Sequence, residues 1–238
     1  MKILGVTLAR GGSKTVPRKN IRQIQGLPLI AYTILEAVQS RFITRYIVST
    51  DDEEIRRVAI SFGVDAPFLR PSEFSTDTAS SVGALQHAVN WVEHEEDARY
   101  DFVVELMATN PMKTVDDIDA CIDKLVDTGA DSVIAVHQLE DHHPARIKKI
   151  VDDRIVDFCV PEIPESRRQD LRPEAYVRSG SIYALRRDHL MVDGRRYGSV
   201  ESRPYVLSAE RAINVDTEMD FLLAEHLIRA APRSYVNS

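Results

Sequence analysis

The hydrophobic pattern changes period several times along the chain, and each change marks an element. Ile3 to Leu8 is a short apolar run and predicts a buried first strand. Leu29, Ile30, Ile34, Ala37 and Val38 recur at helical spacing, with Pro28 near the first turn, where its missing N–H is harmless. Tyr46 to Ser49 predicts a short strand. Asp51 or Asp52 can cap the next helix, whose Ile55, Val58, Ala59 and Phe62 form one apolar face before Gly63 ends it. Hydroxyl side chains and Asp77 between Ser75 and Ser81 precede Val82, Leu85 and Val89, as a helix N-terminus requires. Phe102 to Met107 predicts another strand. Thr114 then caps a helix with Ile118, Ile122 and Leu125 inward and Gly129 at its close. Ser132 to Val136 and Ser181 to Leu185 read as strands, and a last helix from Thr217 to Ala230 packs Phe221, Leu223, Ala224, Leu227 and Ile228.

Strands alternating with helices of this length indicate an α/β fold in three layers around a mostly parallel sheet. The alternation weakens after about Val136. Residues 141–173 hold charged pairs, four prolines and short apolar runs. They are expected to form a small inserted lobe protruding from a single domain over residues 1–238, suited to substrate contact and an oligomer interface.

Composition narrows the function. The chain has 238 residues and 44% hydrophobic content, enough for one sizeable core. A net charge of −7 disfavours a nucleic-acid-binding face. Yet the first twenty residues carry Lys2, Arg10, Lys14, Arg18 and Lys19 and no acid. An acidic protein that handles an anion must concentrate its cations in this way. Cys121 and Cys159 have no metal-ligand spacing and are expected to be reduced and partly buried, consistent with the cytoplasm. No apolar run approaches the ~20 residues that span a bilayer, so no membrane association is expected.

The candidate chemistry begins at Ala9-Arg10-Gly11-Gly12-Ser13-Lys14, directly after the first strand. Paired glycines free the backbone to bend and to turn N–H groups toward an anion, and Arg10, Lys14, Arg18 and Lys19 surround the bend. The run lacks the spacings of the ATPase phosphate loop and of the dinucleotide-binding loop. A polyphosphate grip and a basic surface turn both fit it. Ser80 and Ser81 stand where a helix N-terminus could contact an anion or simply be capped. His142 and His143 are adjacent, so their side chains diverge on an extended chain and joint ligation of one ion is not expected. Asp216, Glu218 and Asp220 make an acidic helix start.

The opening stretch resembles that of the acylneuraminate cytidylyltransferases, the CMP-sialic acid synthetases. Their A-R-x-x-S-K-x-x-P-x-K-N pattern is met by Ala9, Arg10, Ser13, Lys14, Pro17, Lys19 and Asn20. Arg70-Pro71 and Asp77 to Ser81, His142-His143-Pro144, Arg167 to Asp170, Ser179 to Tyr183 and Asn214 to Asp220 follow in family order. The resemblance implies a nucleotide-diphospho-sugar transferase (Rossmann-like) fold and a homodimer joined through the lobe. It implies transfer of CMP from CTP to a 2-keto-3-deoxy sugar acid, releasing pyrophosphate. Arg10, Lys14 and Lys19 would take the triphosphate. Ala9, Gly11, Gly12, Ser13, Asn20, Arg70, Ser80 and Ser81 would complete the nucleotide site. Thr109, Arg146, Arg168, Gln169 and Tyr183 would contact the sugar. Asp216, with Asn214, would hold Mg²⁺ or Mn²⁺.

Five positions depart from the family pattern. Met107 stands where the family has a glutamine, Ala108, Asn110 and Lys113 replace a proline, a serine and an arginine, and Asn214 replaces an aspartate. Legionaminic or pseudaminic acid, or Kdo (2-keto-3-deoxy-manno-octonic acid) or its 8-amino form, are therefore alternative substrates. Non-catalytic binding of a nucleotide sugar is an alternative function. Glu105, at the end of its strand, could supplement the metal site.

Overall fold

A computed structural model describes residues 1–13, 15–139, 141–233 and 235. In chain order the strands are β1 (Ile3–Leu8), β2 (Gln23–Ile24), β3 (Leu27–Pro28), β4 (Arg45–Ser49), β5 (Phe102–Leu106), β6 (Ser132–Gln138), β7 (Lys148–Val151), β8 (Arg154–Asp157), β9 (Tyr176–Arg186) and β10 (Ser202–Val206). The helices are α1 (Leu29–Ala37), α2 (Glu53–Ser61), α3 (Ser81–Glu95), α4 (Val115–Thr128), α5 (Arg187–Met191) and α6 (Glu218–Ala230).

Six strands form one sheet in the order β10-β6-β9-β5-β1-β4. Every neighbouring pair is parallel except those of β9, which runs antiparallel to both β5 and β6. The apolar stripes read from sequence explain the layers. On one face Ile30 and Ile34 of α1, Ile55 and Ala59 of α2, and Ile118, Cys121, Ile122 and Leu125 of α4 are buried against Ile3, Val48, Val104 and Val133. On the other, Leu85, Ala88, Val89 and Val92 of α3 meet Leu4, Val6, Val103 and Leu185. Each fully buried Leu, Ile or Val in such a layer contributes roughly 1.5–3 kcal/mol relative to an exposed one. A third cluster seats Phe221, Ala224 and Ile228 of α6 on Val16, Leu29 and Tyr32.

The caps follow the polar residues at the helix boundaries. Asp52, rather than Asp51, caps α2 by accepting from the N–H groups of Glu54 and Ile55. Thr114 with Asp117, and Thr217 with Asp220, form capping boxes on α4 and α6. Gly129 closes α4 in the left-handed conformation with φ 62°.

Several expectations change. Leu223 of α6 is 46% exposed, because it lies off the stripe made by Phe221, Ala224 and Ile228. Cys121 is buried, but Cys159 is exposed in the lobe. β10, whose polar-rich Ser202–Val206 gives a weak strand signal, adds a parallel edge beside β6. The predicted strand around Ser181 is the middle of an eleven-residue strand that returns the chain from the 141–173 excursion. That excursion carries its own hairpin, β7 with β8. The hairpin shows Ile150 and Ile155 to solvent, 78% and 76% exposed. Among the described residues, no helix is long and apolar enough to cross a membrane.

Asp52 also binds Arg18, and that hydrogen bond is the main cause that lowers its carboxyl pKa to about 2 from 3.8. The ionised form is therefore favoured by folding, and its stabilisation is present above pH 3.8 and lost as pH falls through about 2. Asp52→Ala should cost about 1–2 kcal/mol in urea unfolding at pH 7, allowing for the partly exposed Arg18. The gap to wild type should close as pH falls from about 4 toward 2.

Candidate active site

Because β1, β4 and β5 are parallel, the loops after them leave the same edge of the sheet, where α/β folds bind ligands. The loops after β1 and β5, Arg70 with the 74–81 segment ahead of α3, and the segment before α6 line a cleft of about 520 Å³.

The first loop is tied from below. Ala9 N–H donates to the Ser49 carbonyl at 3.0 Å, and Gly11 N–H donates to Asp51 Oδ1 at 2.9 Å. A Cβ on Gly11 would lie 2.5 Å from Asp52 Oδ2, so only glycine lets the loop close on this carboxylate. Asn20 Nδ2 donates to the Arg10 carbonyl at 2.9 Å.

Among the described residues three cations reach the cleft, each facing an acid. Arg10 crosses to Asp77 at 2.8 Å. Lys19 Nζ donates to the Val215 carbonyl at 2.8 Å and to Asp216 Oδ1 at 2.9 Å. Arg70 is buried, donating to the Ser49 carbonyl and to Ser75 Oγ, each at 3.1 Å, with Asp51 at 3.9 Å. Burial pushes its pKa down, and Asp51 opposes the shift. Ser80 Oγ accepts from Gly83 N–H at 3.1 Å, capping α3 while lining the cleft.

The floor holds three buried oxygens with no hydrogen-bond donor among the described residues: Glu105 Oε1, Thr109 Oγ1 and Asn214 Oδ1. Burial pushes the Glu105 carboxyl up, and Arg196, bonded to Oε2, opposes that shift. Asn214 Nδ2 donates to Asp216 Oδ2 and packs beside Gly180, whose positive φ of 58° lies where the β6–β9 register shifts. One carboxylate and one unpartnered amide oxygen are a donor set that fits Mg²⁺, which takes one or two protein oxygens and completes its shell with water and substrate phosphate.

The sequence-derived site residues divide accordingly. Arg10, Gly12, Ser13, Lys19, Asn20, Arg70, Ser80, Ser81, Thr109, Asn214 and Asp216 line the cleft. Lys14 lies outside the described residues. Ala9 is buried and Gly11 spends its N–H on Asp51, so both shape the loop from beneath. Arg18 turns away to Asp52 and Glu54. Tyr183 is buried in the β9 layer with Arg196 4.6 Å above its ring, so it supports the floor from below. Arg146, Arg168 and Gln169 sit in the lobe, apart from this cleft. Arg146 faces Glu162, Arg168 lies 3.4 Å from Asp141, and Gln169 helps line a separate hollow of about 270 Å³. His143 Nε2 bonds the Pro173 carbonyl at 2.8 Å and Nδ1 accepts from Ala145 N–H at 3.2 Å, which occupies both ring nitrogens in holding the lobe.

Lys113, which replaces a family arginine, is fully buried behind the cleft. Its Nζ bonds Thr33 Oγ1 and the Met107 and Asn110 carbonyls, fixing the loop that carries Thr109, and burial pushes its pKa down to about 7. Arg196 and Thr15 were missed by the sequence pattern. Thr15 Oγ1 bonds the Asp216 carbonyl at 2.6 Å, a contact across 201 positions that spacing cannot reveal.

The model of a family described as Cytidylyltransferase matches residues 4–200. Pseudaminic acid cytidylyltransferase of Campylobacter jejuni is 32% identical over 236 residues, covering 96% of this chain and 97% of the relative. CMP-N,N'-diacetyllegionaminic acid synthase of Legionella pneumophila is 31% identical over 234 residues, again covering 96% and 97%. A solved CMP:2-keto-3-deoxy-manno-octonic acid synthetase, complexed with CTP, has the same fold. It superposes with a TM-score of 0.72 at 22% identity and covers 97% of this chain and 99% of that one. The family match spans the chain from β1 through β9, and the chain belongs to the cytidylyltransferase family of nucleotidyltransferases.

Proposed function

We propose that the protein activates a 2-keto-3-deoxy sugar acid with CTP, giving a CMP-sugar and pyrophosphate. The observation that carries this reading is the meeting of Arg10, Lys19 and Arg70 with Asp216 in one cleft at the carboxyl edge of the parallel strands. The sugar's anomeric hydroxyl attacks the α-phosphorus, its proton is lost, and the bond to the β-phosphate oxygen breaks. Such a transfer is accelerated mainly by positioning and charge neutralisation. Arg10 and Lys19, with Lys14 by resemblance, hold the triphosphate and the leaving pyrophosphate. On nucleotide binding the Arg10 guanidinium exchanges Asp77 for phosphate oxygens. Asn20, Arg70, Ser80 and Ser81 surround the nucleoside. Asp216 and Asn214 would hold Mg²⁺ or Mn²⁺, which supplies Lewis-acid polarisation of phosphoryl oxygens.

The reading also includes a homodimer. The exposed Ile150, Ile155 and Ile163 of the lobe form an apolar surface suited to a second copy. It would bring Arg146, Arg168 and Gln169 to the neighbouring cleft. Two free cysteines fit a reducing cytoplasm.

Pyrophosphate release from CTP and Mg²⁺ across N-acetylneuraminic, pseudaminic and N,N'-diacetyllegionaminic acids, Kdo and 8-amino-Kdo should be seen with at least one sugar. Arg10→Ala should lower kcat/KM by about 10²–10⁴ with an unchanged melting transition. Retained activity would reject its role. Asn214→Asp should lower the Mg²⁺ concentration for half-maximal rate several-fold by adding a charged ligand, and Asn214→Ala should raise it. Ile150→Asp with Ile155→Asp should shift sedimentation toward the monomer and reduce turnover together.

A further inference from the structure

Glu105 is a charged residue in an otherwise apolar strand, flanked by Phe102, Val103, Val104 and Leu106. It is 1% exposed, and a carboxylate removed from water needs its lone pairs satisfied. Arg196 meets part of that need by donating to Oε2, while its guanidinium lies over Tyr183, the cross-strand partner of Glu105. Oε1 stays without a donor among the described residues, and Glu105 lines the cleft. The always-charged guanidinium already balances the carboxylate, so the missing group is a neutral N–H or O–H rather than a second cation. Met107, two residues on and therefore on the same face of the chain, lines the cleft with Ala84 and Leu8. One buried acceptor beside three apolar side chains matches a substituent that has an N–H at its root and a hydrocarbon tip.

We infer that Glu105 and Met107 form a subsite for an acylamido group of the sugar acid, with the amide N–H donating to Glu105 Oε1 and the acyl carbons resting on Met107. The inference deepens the sugar-acid reading above and rests on it. A hydroxyl would satisfy Glu105 but leave the apolar wall without a partner. An ammonium would set a second cation near Arg196.

The test is Glu105→Gln, which is nearly isosteric. Arg196 has only donors, so the amide oxygen goes to it and the NH₂ group turns toward the cleft, reversing the hydrogen-bond sense there. The wild type should favour the best of N-acetylneuraminic, pseudaminic and N,N'-diacetyllegionaminic acids over Kdo by at least about tenfold in kcat/KM. E105Q should raise KM for that acylamido sugar by about 10- to 100-fold. It should affect Kdo less, and change KM for CTP and the Mg²⁺ requirement by no more than about twofold. CTP affinity by calorimetry serves as the control for folding. A double variant, E105L with R196M, removes both charges of the pair and should also lose the acylamido preference. Wild-type preference for Kdo, equal loss on all sugars, or a changed Mg²⁺ requirement with unaltered sugar KM would overturn the inference. A panel with no turnover by the wild type would overturn the sugar-acid reading and this inference with it. Turnover without the selectivity would overturn this inference alone.

Discussion

Cations gathered to meet a polyphosphate repel one another until the ligand arrives, and the fold has to hold them in the meantime. Three of them are set against carboxylates: Arg10 against Asp77, Lys19 against Asp216, and Arg70 near Asp51. The acids come from three separate stretches, so this neutralisation also fastens the first loop to the α3 approach and the α6 approach, and the segment around Arg70 to the β4 loop. The acidic net charge and the basic N-terminal segment are two aspects of the same arrangement. Exposed pairs such as Arg10 with Asp77 are worth little energetically, and they exchange readily for phosphate. Arg70 is different, because its buried guanidinium is fixed by a backbone carbonyl and a serine hydroxyl.

Much of the layer architecture was legible in local pattern. The apolar stripes of α1, α2 and α4, the caps Thr114 and Thr217, and the stop at Gly129 depend on neighbours within a turn or two. The direction of β9 was not legible, since an apolar run looks the same in either orientation and the excursion before it hides the return path. β10 was missed because Ser202, Arg203 and Pro204 dilute its apolar signal.

The site divided along similar lines. Motif order led to Arg10, Lys19, Arg70 and Asp216, which the fold collects. It led equally to Arg146, Arg168 and Gln169, which one chain keeps apart from them, because linear order carries no distance. Gly11 shows a subtler limit. Its glycine was expected to present an N–H to an anion, but Asp51 takes that N–H and Asp52 takes the space a side chain would fill. Glu105 did carry a sequence signal, a lone acid among β-sheet hydrophobes. Only the fold shows that Arg196 engages one of its oxygens and leaves the other.

Asp52 belongs to a secondary-structure boundary and to a ligand loop at once: its oxygens end-cap α2 and clasp Arg18 in the chain that follows the glycine pair. Re-aiming that loop by altering this carboxylate would therefore also uncap a helix. The 75–81 segment on the opposite rim has no such double duty toward α2, since it meets the first loop through the exposed Asp77–Arg10 pair.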